Sequence, residues 1–79
     1  MPRYYFDTHD GGDLVTDDEG QILDGPASVR AEALEALAGI AKDALPRDKG
    51  DAMMVSVRDK AGEIVFRATL SLTVEPPIR

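Results

Sequence analysis

At 79 residues the chain has room for one small domain with a thin core, since a domain of this size buries only about 60–65% of its unfolded surface. It has no cysteine and a single histidine, His9, which excludes disulfide staples, thiolate metal sites and the multi-histidine zinc constellations. The net charge of −6 lies wholly in residues 1–25, where seven acids face one base, and this acidity argues against nucleic acids and anionic membranes as partners.

Arg3 to His9 alternates with period two, Tyr4, Phe6 and Thr8 on one side and Tyr5, Asp7 and His9 on the other, which predicts a strand. Asp10-Gly11-Gly12-Asp13 reads as a tight turn, because paired glycines supply the positive φ it needs. Short strands follow over 14–16 and 21–23, separated by the turn Asp17-Asp18-Glu19-Gly20. Asp24 or Gly25 can cap a helix over 26–45, with Pro26 in the first turn and Pro46 as the stop. At 100° per residue, Val29, Ala33, Leu37, Ile40, Ala41 and Ala44 share one face, with Leu34 and Leu45 at its edge.

A charged loop over 47–51 leads to a strand over 53–58 and a turn, Asp59-Lys60-Ala61-Gly62, with the glycine placed for a type I turn plus bulge. A last strand over 63–74 then carries Ile64, Phe66, Ala68, Leu70, Leu72 and Val74 inward and Val65, Arg67 and Thr69 outward. Residues 17–22 and 59–64 share the form D-x-x-G-x-I, the same turn used twice. The fold class is α+β: a small antiparallel sheet with one amphipathic helix on one face, in the order β-β-(β)-α-β-β within a single domain spanning residues 1–79.

At twelve residues against six, the last strand is expected to overrun its hairpin partner by roughly 20 Å. Either the amino-terminal strand pairs with that surplus or a second copy of the chain does. Tyr5, Met54, Val65, Leu70 and Leu72 are the candidate interface residues, the first three on the open sheet face, and a homodimer is the expected partner state.

Asp7 and His9, at i and i+2 on one strand face, together with Asp10 and Asp13, are the candidate metal ligands. The Asp17–Glu19 run lies on the next turn, but it fails the calcium-loop spacing, and aspartates favour turns for backbone reasons alone. No catalytic or cofactor-binding residue, and no cofactor, is called: the acids sit at loop tips, and no phosphate loop or nucleophile elbow occurs. No apolar run approaches the roughly 20 residues of a membrane span, and the opening Met1-Pro2-Arg3-Tyr4-Tyr5-Phe6 has no apolar secretion segment, so a cytoplasmic location is expected.

With that opening, the Asp10-Gly11 and Asp17-Asp18-Glu19-Gly20 turns, the segment Ala31-Glu32-Ala33-Leu34 and the late Asp59 to Gly62 hairpin, the chain resembles a family of short bacterial proteins. They occur chiefly in soil and plant-associated alphaproteobacteria and are classed as a domain of unknown function. The resemblance implies no activity, cofactor or catalytic residue. The β-β-α-β-β order is also similar, in topology only, to small antitoxin subunits that pair with RNA-cleaving toxins. The sequence leaves three readings open: a non-enzymatic domain acting by protein–protein contact as a homodimer, a divalent-cation module using the acidic turns, and an antitoxin-like partner.

Overall fold

The fold is seen in a computed structural model, which describes residues 2–44, 52–73 and 75. Five strands and one helix follow in the order β1 (Arg3–Asp10), β2 (Asp13–Val15), β3 (Gln21–Ile22), α1 (Pro26–Ala44), β4 (Ala52–Arg58) and β5 (Ile64–Ser71). The expected α+β class holds: an antiparallel sheet ordered β2-β1-β4-β5, with β3 also on β1, carries one helix. Leu45, Pro46, the 47–51 loop and Val74 lie outside the described residues.

Alternation places the core. Phe6 of β1 and Met53, Val55 and Val57 of β4 face α1, and Val55 and Val57 are fully excluded from water. Burying such valines contributes about 1.5–3 kcal/mol each relative to exposing them. The helix answers with Val29, Ala33, Leu37, Ala41 and Ala44, all buried, with Ile40 partly so. Three alanines on that stripe allow the helix to lie close over the sheet. Leu34, at the edge of the predicted face, is exposed.

The helix entrance is set by Gly25, whose carbonyl accepts the Val29 N–H at 3.1 Å, while the Ser28 hydroxyl donates to Asp24 at 2.6 Å. The β4–β5 turn closes on Asp59. Its carboxylate accepts the N–H groups of Ala61 and Glu63, and Gly62 takes the positive φ of 90° that the turn requires.

Two expectations about the last strand are overturned. It stops at Ser71, and it pairs with β4 along its whole length, from Ala52 opposite Ser71 to Arg58 opposite Ile64. Among the described residues no overhang remains, and β1 pairs with β4 rather than with β5. The apolar alternation running on to Val74 marks side-chain preference, whereas the length of the ladder is set by β4. That strand buries its whole inner row and so takes the central place, with a neighbour on each edge.

The faces near the hairpin are also exchanged. Val57 lies opposite Phe66 but Arg58 lies opposite Ile64, so Val65 is the extra residue of a bulge. Ile64 thereby joins the outer row with Arg58, and Val65 turns to the helix side, where it shares a small cavity with Tyr4, Pro26, Val29 and Phe66.

Candidate functional site

The two long edges of the sheet differ, and the difference begins at Asp17. From the β1–β2 turn the chain runs back along β1, with β2 opposite Thr8–Asp10 and β3 opposite Arg3 and Tyr4. Residues 16–20 loop out between them and would leave β1 uncovered at its middle. The Asp17 carboxylate fills that gap by accepting the Phe6 N–H at 3.0 Å. Its other oxygen accepts the N–H groups of Glu19 and Gly20, each at 3.1 Å, and so folds the loop onto the strand. Burial pushes the Asp17 carboxyl up, but the N–H groups of Phe6, Gly20 and Glu19, aided by the Arg58 charge, outweigh it and hold the group below its ordinary value. Gly20 sits at φ +74, where a Cβ would come within 2.9 Å of the Tyr4 carbonyl and of the Tyr5 ring. Only glycine fits that approach.

Asp7 anchors the same loop from the outer sheet face. Arg58 lies directly opposite Tyr5 and diagonal to Asp7, which suits a long side chain. Its Nε donates to Asp7 Oδ2 at 2.7 Å, one Nη donates to Asp7 Oδ1 at 3.2 Å, and the same nitrogen reaches the Asp17 carbonyl at 2.7 Å. Asp7 Oδ1 also accepts the Asp17 N–H at 2.9 Å. The guanidinium lies over the Tyr5 ring, 4.8 Å from its centroid. Arg3 completes the lacing by donating to the Glu19 carbonyl at 2.7 Å. The mid-strand aspartate is thus held in a forked ion pair that ties three segments together.

The other candidate ligands do not join it. His9 lies opposite Leu14 and Met54, and Asp10 faces Asp13 across the hairpin tip. Among the described residues no group of three or more His, Asp or Glu side chains is arranged to hold a metal ion. A hollow of about 590 Å³ opens beside Arg3, Tyr4, Ile22, Lys60 and Val65. Two polar groups of its wall are already committed, Arg3 to the Glu19 carbonyl and Asp59 to its own turn.

At the far side, β5 pairs with β4 alone among the described strands. It offers an eight-residue edge without proline or lysine, and Ile64, Val65 and Leu70 along it are 54%, 48% and 39% exposed. The candidate interface residues therefore divide. Leu70 lies on β5 and Leu72 just beyond it, half-buried; Val65 is on the helix side of the bulge rather than the open face. Met54 stays on the outer face between His9 and Thr69, while Tyr5 is half-buried under Arg58 and against Gly20.

Asp17 and Arg58 were not singled out as partners of Asp7 by sequence reasoning. The signal lay in parity: an acid at mid-strand on the outer row calls for a cation on the neighbouring outer row, and Arg58 ends that row.

A family model described as a domain of unknown function, DUF6894, matches residues 3–71. The chain belongs to this family. The matched span runs from the first residue of β1 to the last of β5, so the lacing of β1 and the open edge of β5 both lie within it. Comparison with curated proteins and with solved structures gives no match. No helix is long and apolar enough to cross a membrane among the described residues.

Proposed function

We propose that this is a non-enzymatic domain that works in the cytoplasm through protein–protein contact, and that its first partner is a second copy of itself. One observation carries the reading: among the described residues β5 leaves a whole strand edge unpaired, with apolar side chains exposed beside it. Such an edge is a template for another strand unless proline, lysine or cover blunts it. None of these is present on β5 among the described residues; Arg67 is its only charge. The opposite edge consists of the short strands β2 and β3, of three and two residues, laced to β1 through Asp17. Strands that short give a partner little ladder to extend, even though Leu14, Val15 and Ile22 are exposed on them. The carboxylates with special geometry, Asp7 and Asp17, spend their oxygens on Arg58 and on backbone N–H groups, which speaks for structural rather than acid–base work.

Sedimentation velocity of the full chain over a range of concentrations tests this. The expected result is a species of about twice the 8.5 kDa chain mass. A single-chain mass throughout, with no protein retained on the immobilised chain, would overturn it.

A further inference from the structure

We propose that two copies pair β5 to β5 antiparallel, with the two-fold axis passing through Ala68. The inference rests on the homodimer reading and adds its register. A two-fold interface must be self-complementary, the same patch serving both copies. Antiparallel pairing in a continuous sheet also requires that helix-side residues meet helix-side residues, because a slip of one residue exchanges the faces.

The β5 residues opposite Val57, Val55 and Met53 are Phe66, Ala68 and Leu70, the helix-side row; Arg67 and Thr69 belong to the outer row. Only registers centred on a residue of the strand keep these rows together. Centring on Arg67 sets Arg67 against its own copy, two like charges directly opposed. Centring on Thr69 sets Phe66 against Leu72, past the end of the strand at Ser71. Centring on Ala68 sets each Phe66 against the other copy's Leu70, Ala68 against itself, and Arg67 against Thr69.

The run Phe66-Arg67-Ala68-Thr69-Leu70 is thus a palindrome in size on the helix side, large–small–large, with its one charge moved off the axis. It also clears the bulge at Val65, so the paired stretch is regular strand. The small residue on the axis leaves room for both halves, and the 39% exposed Leu70 gains the cover it lacks in the single chain. The product is one sheet of ten strands with both helices on the same face.

Because the chain has no cysteine, single thiols report the register directly. The variants are A68C, R67C and T69C, oxidised mildly and followed by non-reducing electrophoresis. Directly opposed residues have Cα atoms about 4.5–5.5 Å apart, within disulfide reach, whereas Arg67 and its own copy would lie about 8 Å apart, beyond it. The expectation is that A68C cross-links at least tenfold faster than R67C or T69C alone. An equal mixture of R67C and T69C should form the mixed cross-link faster than either forms its own; both sites are exposed and do not disturb the core.

Fastest self-cross-linking at R67C or T69C overturns the register while leaving the dimer. A dimer by sedimentation that cross-links at none of these sites, alone or mixed, places the contact elsewhere and overturns the proposal. A single-chain mass by sedimentation overturns the underlying homodimer reading itself.

Discussion

The β1 side of the sheet, closed off by the short strands β2 and β3, and the β5 side are treated by the chain in opposite ways. Along β1 two short strands leave a gap, which one carboxylate, one guanidinium and one glycine close: Asp17 takes the Phe6 N–H, Arg58 ties Asp7 to the loop, and Gly20 lets the chain lie flat against Tyr4. Along β5 nothing of the kind occurs among the described residues, although a longer strand is exposed there. Edges left open are a liability in a soluble protein. A chain that invests polar chemistry in one edge and none in the other has the second edge available for a partner. The acidic segment thus serves the sheet, and the proposed interaction surface lies at the opposite end of it.

The comparison breaks most readily at Gly20. Gly20→Ala meets both a left-handed backbone and a Cβ within 2.9 Å of the Tyr4 carbonyl. It should cost about 2 kcal/mol or more and lower the melting midpoint by about 10 °C. Gly12→Ala is the control: its φ is +105 but nothing lies within 4 Å, so a clearly smaller drop is expected by the same thermal melt. Next comes Asp17→Ala, which strips three N–H groups of their acceptor. Because Asp17 is only half-buried, water offsets part of the loss, and urea unfolding should show about 1–2 kcal/mol.

At the other edge, Leu70→Lys should leave the fold of the single chain nearly unchanged, since Leu70 is already 39% exposed, while weakening self-association at least tenfold in sedimentation equilibrium. The smallest effect is that of acid. Asp17 is held below its ordinary 3.8 in the folded chain, so as pH falls the unfolded chain takes the proton first. Its contribution is full above about pH 5 and is lost as pH falls through the lowered folded value, and Asp17→Ala should flatten that part of the stability–pH curve.

Local rules carried much of this fold. The period-two rows of β1 and β4, the helical stripe from Val29 to Ala44 and the Gly62 turn are each properties of a few neighbouring residues, so the sequence displays them. What it did not display depends on who sits beside whom. The apolar alternation through Leu72 cannot say where the β4 ladder ends, and the bulge that exchanges Ile64 and Val65 is a count between two strands. Asp7 was visible as an acid out of place, but its partner Arg58 is 51 residues away and reaches it only once β1 and β4 are paired in register. Asp17 looked like one turn aspartate among several; its distinction is that the β1 gap falls beside it.

Amide hydrogen exchange at two protein concentrations, one below and one above the association range, tests the central claim most directly. The account predicts that Phe6 and its neighbours on β1 are protected equally at both concentrations, while amides on the free edge of β5 between Phe66 and Leu70 gain protection only at the higher one. Exchange along β5 that does not change with concentration, or concentration-dependent protection appearing at the β1 edge instead, would contradict it.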